Sequence, residues 1–175
     1  MRHHEQEILA TIDKDMEQGF GLLVEYYQEP LYWHIRRLVV CHSDTEDALQ
    51  EVFMRAYGGL RRFRREASLT TWLYRIATNE AMRQLSRRGK QHTPIESRMA
   101  AEQAPYIDLN NLEAIALQKA IAALPPKQRV VFNLCYYDEL DYEQVAAIVG
   151  GKASAAKANY HLAKQKVKEY LLANI

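Results

Sequence analysis

From Ile8 to Leu172 the apolar residues recur at helical spacing, and no useful length of chain alternates apolar and polar side chains as a strand would. Such a pattern puts one apolar stripe on each helix, and helix-on-helix packing is what covers it. The chain is therefore expected to be all-α. Ile8, Ile12 and Met16 set the spacing, and Phe20, Leu23, Val24 and Tyr27 continue it. Pro30 suits the first turn of a new helix through Leu31, Ile35, Leu38 and Val39. With 175 residues there is room for one ordinary domain or two small ones.

Capping residues and glycines divide the pattern. Ser43-Asp44-Thr45-Glu46 has the form of a capping box, with Asp44, Glu46 and Asp47 in a first turn that favours anions. Ala48, Val52 and Ala56, with Leu49, Phe53 and Tyr57, form the stripe; Asp47, Gln50, Glu51, Met54 and Arg55 are left outside it. An amphipathic helix accounts for most of this. It does not account for Phe53 beside Met54, which cannot both point fully into one core, so one is available to a partner. Gly58-Gly59 ends the helix. Leu60–Ser68 follows as a loop in which Arg61, Arg62, Arg64 and Arg65 flank Phe63. An aromatic ring among arginines suits an extruded nucleic-acid base, although a lone loop Phe is more often a core anchor.

Ser68, Thr70 or Thr71 can cap the next helix. Leu73, Ile76, Ala77 and Leu85 look inward, leaving Thr71, Tyr74, Arg75, Thr78, Asn79, Met82 and Arg83 largely on other faces. Asn and Arg are the side chains that bond base edges and phosphates. Trp72 can pack in the core or prop open a base stack. Ser86–Asn111, with Gly89, Pro94 and Pro105 and poor periodicity, reads as a linker. The expected units are 1–88 and 112–175, joined by 89–111.

In the second unit one helix runs from Leu112 to Leu124-Pro125-Pro126, and another covers Gln128–Tyr137. A third opens at Asp141 with Gln144 three residues on and ends at Gly150-Gly151; Ser154 then caps a long last helix through Leu172. Two helices around a short glycine turn, the second rich in Lys, Asn and His, form a helix-turn-helix pattern. It would set Lys152, Ser154, Lys157, Asn159, His161 and Lys164 at a major groove. Val145, Ala146, Ile148, Val149, Ala158, Leu162 and Val167 would make the core, and Tyr160 can serve either side.

Charge supports two contacts with a polyanion. The formal net charge of +1 hides +8 over Arg55–Lys90, +5 over Lys152–Lys168 and −4 over Gln91–Gly151. The acidic segment can shield the basic faces if the two units fold together. Cys41 and Cys135 are far apart in apolar surroundings and read as buried free thiols in a reducing cytoplasm. The acidic, periodic N-terminus is not a secretory signal, and no apolar run approaches the ~20 residues of a membrane helix. A cytoplasmic monomer without membrane insertion, metal or cofactor is expected; the adjacent His3 and His4 are read as solvated.

The motifs DTEDALQEVFMRAY, FRREASLTTWLYRIATNEAMRQLSRR and ALPPKQRVVFNLCYYDELDYEQVAAIVGGKASAAKANYHLAKQKVKEYL, in this order and spacing, resemble bacterial extracytoplasmic-function (ECF) sigma factors of the sigma-70 family. The resemblance covers about Phe20–Arg88 and Leu112–Leu172, and the Lys157-Ala158-Asn159-Tyr160-His161 run looks like the Bacteroidetes sub-type. It implies two helical domains, regions 2 and 4, and a non-enzymatic factor that binds core RNA polymerase, promoter DNA and an anti-sigma protein. Asp44, Asp47, Gln50, Glu51, Phe53 and Arg55 would dock on the polymerase clamp helices. Phe63, Arg64 and Asn79 would capture a flipped base of the −10 element, and Thr71, Trp72, Tyr74, Arg75, Thr78 and Arg83 would complete that surface. Lys152, Ser154, Lys157, Asn159, Tyr160, His161 and Lys164 would read the −35 element. Two departures stand out. Arg65 replaces the family's usual loop glycine and is expected to change the backbone there, and Ala155-Ala156-Lys157-Ala158-Asn159 offers few base-specific side chains.

Three other function classes fit less of the sequence. A helix-turn-helix regulator acting without polymerase would need a dimer face, and none is evident. An enzyme would need a second cluster to complete Asp44, Asp47 and Glu51. A protein-interaction adaptor leaves both basic blocks unexplained.

Overall fold

The computed structural model describes residues 2–89 and 112–174, with side chains from 4 to 87 and from 112 to 174. All regular structure among the described residues is helical. The N-terminal domain contains α1 (Arg2–Lys14), α2 (Met16–Val39), α3 (His42–Leu60) and α4 (Leu69–Gly89). The C-terminal domain contains α5 (Leu112–Ala122), α6 (Pro126–Tyr136), α7 (Tyr142–Val149) and α8 (Ala153–Asn174). The expected linker lies, beyond Gly89, outside the described residues.

α2 is the spine. Asp15 caps it, its carboxylate accepting from the Glu17 and Gln18 amides at 2.9 and 3.1 Å. Pro30 sits inside this helix and does not begin a new one. An interior proline costs about 3 kcal/mol. The stripe after it, Leu31, Ile35, Leu38 and Val39, is almost wholly buried. At ~1.5–3 kcal/mol per side chain that burial outweighs the proline, and the helix continues.

Other boundaries moved for similar reasons. α3 begins at His42 with Cys41 at the cap, so Ser43 lies inside the helix and its expected box does not form. The last helix begins at Ala153, which puts Ser154 inside its first turn and not at the cap. The Asp141–Gln144 box does form, with bonds of 2.8 and 3.1 Å. On α8 the buried face is Ala156, Ala163 and Val167. Ala158 and Leu162, expected in the core, are exposed. The stripe is rotated because Tyr160, between Phe132 and Tyr142, fixes which side faces α6 and α7.

The two domains share one buried cluster. Leu31, Leu38, Leu73 and Ala77 from the first join Val131, Leu134, Val145 and Ile148 from the second. At its edge lies a polar junction. The Asp138 carboxylate, which only accepts, takes a bond from His34 Nδ1 at 2.7 Å and one from Arg37 at 3.3 Å. His34 Nε2 lies 2.9 Å from the Thr78 hydroxyl, and the Arg37 guanidinium covers the Tyr137 ring at 4.3 Å. His34 is fully buried. A second, smaller core of Ala120, Ile121, Leu124, Phe132, Ala163 and Val167 holds α5 and α8 to α6.

Candidate nucleic-acid interface

Three surfaces carry the expected site residues. The first is the outer face of α3. Asp47 and Gln50 are exposed and Glu51 is half-buried. Phe53 turns inward, edge-on to Phe20 at 6.4 Å, while Met54 is 68% exposed and Tyr57 43%. The Phe53–Met54 ambiguity is thereby resolved: Met54 faces outward. Asp44 is buried at the start of the helix. Arg55 bridges Glu51 at 3.7 Å and Glu80 of α4 at 3.4 Å, so it ties the two helices together.

The second surface is the arginine loop with α4. Arg61, Arg62, Arg64 and Arg65 are exposed around a half-buried Phe63. Phe63 lies 5.0 Å from Trp72, ring to ring, and both pack against the core, as the core-anchor reading of these aromatics expects. Trp72 needs Gly59 opposite it, where a Cβ would stand 2.9 Å from the indole. Arg65 has a φ of 57°, the left-handed backbone that a glycine would adopt without penalty. At this departure the arginine therefore sits on a backbone that glycine favours.

The α4 residues divide into two stripes. Arg75, Asn79 and Arg83, four apart, are exposed. Thr71, Tyr74 and Thr78 are buried, which corrects their assignment to an open face. Tyr74 packs on the His34 ring at 5.0 Å, and its hydroxyl is pushed well above the usual tyrosine range by burial and then by Asp138. A cleft of about 620 Å³ separates Ser68, Thr70 and Thr71 from Asp138, Glu139, Asp141 and Glu143. With Glu5 of α1 on the near side, five carboxylates line this cleft beside the start of α4. Glu80, 3% exposed and reached by Arg83 at 3.2 Å, was missed in the sequence because its burial depends on α3 crossing it.

The third surface is α8. Lys152, Ser154, Lys157, His161 and Lys164 are exposed along one side. Asn159 is half-buried and donates to the Ala155 carbonyl at 3.0 Å. Tyr160 serves packing: it contacts Phe132 and Tyr142, and burial raises its pKa. Lys164 sits 4.8 Å over the Tyr160 ring.

Among the described residues no group of His, Cys, Asp or Glu is arranged to hold a metal, and no helix is long and apolar enough to cross a membrane. Cys41 and Cys135 are free thiols. Cys41 is buried as expected, Cys135 only partly, and burial pushes the Cys135 thiol up to about 11.

Comparison with known proteins places these surfaces in context. Residues 23–91 match sigma-70 region 2, and residues 114–167 match sigma-70 region 4. The chain is similar to the RNA polymerase sigma-H factor of Pseudomonas aeruginosa, 28% identical over 97% of this chain and 95% of the relative. It is 29% identical to the ECF RNA polymerase sigma-E factor of Escherichia coli, over 93% of this chain and 92% of that one. In fold it is similar to CnrH, solved in complex with the cytosolic domain of CnrY, with a TM-score of 0.76, 19% identity and coverage of 98% and 99%. It is also similar to the sigma factor RpoE of Bartonella quintana, solved with the anti-sigma factor NepR, with a TM-score of 0.69, 23% identity and coverage of 93% and 99%.

Proposed function

We propose, from the premise that this chain belongs to the sigma-70 family and is an ECF sigma factor that directs RNA polymerase to promoters, a division of labour among its three surfaces. It is a non-enzymatic factor: the polymerase supplies the bond-making chemistry. The outer face of α3, with Asp47, Gln50, Glu51, Met54 and Tyr57, docks on core polymerase. Asp44, Phe53 and Arg55 hold that face in shape. The Arg75–Asn79–Arg83 stripe and the arginine loop capture the opened −10 strand over a floor of Phe63 and Trp72. Lys152, Ser154, Lys157, His161 and Lys164 lie along the −35 duplex, with Asn159 bracing the helix. The observation that carries this reading is the open stripe of Arg75, Asn79 and Arg83 beside an aromatic floor and four loop arginines.

Strand opening costs a few kcal/mol per unstacked base, and each captured base returns ~1–3 kcal/mol. The factor therefore offsets local opening while polymerase holds the strands apart. Contacts to phosphates in both domains make promoter binding steeply salt-dependent.

The closed arrangement is a resting state. With Glu139, Asp141 and Glu143 beside α4, and Asp138 behind them paired with Arg37, a DNA strand approaching Thr71 meets an acidic wall from the second domain. Opening removes it and exposes Tyr74 and Thr78. An anti-sigma protein is the expected partner of the closed form; two structures of similar fold are complexes of that kind or with a cytosolic protein domain. The factor works as a monomer in the cytoplasm, where core polymerase is found. Assignment to the Bacteroidetes sub-type rests on the Lys157–His161 run alone.

The test uses holoenzyme on a promoter fragment that it has itself selected from genomic DNA. Asn79→Ala lowers open-complex yield about tenfold, in line with one captured base, while core affinity is unchanged. An unchanged open-complex yield would remove Asn79 from the strand-capture surface.

A further inference from the structure

We infer that α1 is a positioning element for strand capture: Glu5 and Asp13, near its two ends, grip the start of α4 at Leu69 and the arginine loop at Arg65. The inference rests on the strand-capture reading of the loop. Matching of the sigma-70 region 2 model begins only at residue 23, so α1 lies outside it. The motifs that identified the site likewise begin downstream of α1.

The contacts fall near the middle of the loop and just past its end. Past the end, the Leu69 amide, the first N–H of α4, donates to a Glu5 carboxylate oxygen. The other Glu5 oxygen lies 3.4 Å from the Thr70 hydroxyl, which is bonded to the buried Tyr27 hydroxyl at 2.7 Å. Ser68 caps the next position, its hydroxyl accepting from the Thr71 amide at 3.0 Å. Glu5 thus supplies from another helix the part of the α4 cap that Ser68 cannot reach. Near the middle of the loop, Arg65 takes a left-handed backbone that an L side chain rarely adopts, and its guanidinium is ion-paired with Asp13. A glycine would need no such tether.

α1 is itself fixed. Ile8 is buried, and Gly19 of α2 approaches so closely that a Cβ there would stand 2.5 Å from the Ile12 backbone. A helix held this tightly passes its position to whatever it grips. Phe63 and Arg64 directly precede the Arg65 grip and Trp72 follows the Leu69 grip by three residues, so the floor on which a flipped base would rest flanks both.

Two measurements separate this inference from the reading beneath it. Hydrogen exchange of the full chain tests the grip alone. Glu5→Ala speeds exchange of the Phe63–Thr70 amides, Glu5→Gln, which keeps an acceptor, restores protection, and the α2 and α3 amides do not change. Transcription by the holoenzyme then tests the consequence. Asp13→Asn lowers open-complex yield about threefold, the scale of one exposed charge pair, at unchanged core affinity. Asp13→Glu, which keeps the charge that pairs with Arg65, retains the wild-type yield. Loop exchange that ignores Glu5→Ala would overturn the inference, as would an Asp13→Glu variant no better than Asp13→Asn. Failure of the wild-type holoenzyme to open any promoter would instead refute the strand-capture reading, leaving the exchange result to judge the grip.

Discussion

Tyr27 shows how one side chain can tie stability to the site. It is buried in α2 and bonded to Thr70 at the start of α4, and burial, offset in part by that bond, pushes its pKa up to about 12. In the unfolded chain the hydroxyl ionises near its usual value of about 10. The folded state therefore keeps a proton that the unfolded state loses. This stability is full below about pH 10 and falls as pH rises toward 12, by up to about 3 kcal/mol. Tyr27→Phe should cost about 1 kcal/mol at neutral pH, from the lost bond, and should flatten the alkaline fall. Denaturant titrations at pH 7 and pH 11 measure both. Arg65 illustrates the opposite balance. Its left-handed backbone costs ~1–2 kcal/mol, and an exposed ion pair returns only ~0–1, so Arg65→Gly should stabilise the isolated protein.

Among elements, the helices followed from periodicity, because an apolar stripe has to be covered whatever lies around it. Their ends followed only where the cap is local. Asp141 and Gln144 close α7 with residues three apart, and that box is as the sequence suggests. Ser43 offered the same signature, yet the chain begins its helix at His42, with Thr45 bonded back to the Cys41 carbonyl at 2.7 Å. Asp141→Ala should therefore cost about 1 kcal/mol in thermal unfolding, and Ser43→Ala close to nothing. Equal losses would contradict this account of the caps. On α4 the spacing put Thr71, Tyr74 and Thr78 with Arg75 and Asn79, since all avoid the Leu73–Ala77 stripe. What it could not show is that Tyr74 and Thr78 meet His34 of α2, whose other ring nitrogen is held by Asp138 of the second domain.

At the scale of the whole molecule, the missing information is long-range. His34 and Asp138 are 104 residues apart, and nothing near either one announces the other. A histidine on the apolar stripe between Leu31 and Ile35 was the available signal. The charge pattern did point toward closure, because the segment holding Asp138, Glu139, Asp141 and Glu143 carries the net negative charge. His34→Ala leaves Asp138 and Thr78 without this bond and should cost ~1–3 kcal/mol of domain closure. Small-angle scattering of the free chain should show a compact particle for the wild type and a larger radius for His34→Ala. Well-separated domains in the wild type would count against the resting state.

The most direct test of the central claim is run-off transcription by core polymerase on a pool of genomic promoter fragments, with and without this protein. The account predicts new, specific transcripts that depend on the protein and that Asn79→Ala lowers about tenfold. Duplex binding by the protein alone, with no transcript from the polymerase, would contradict it.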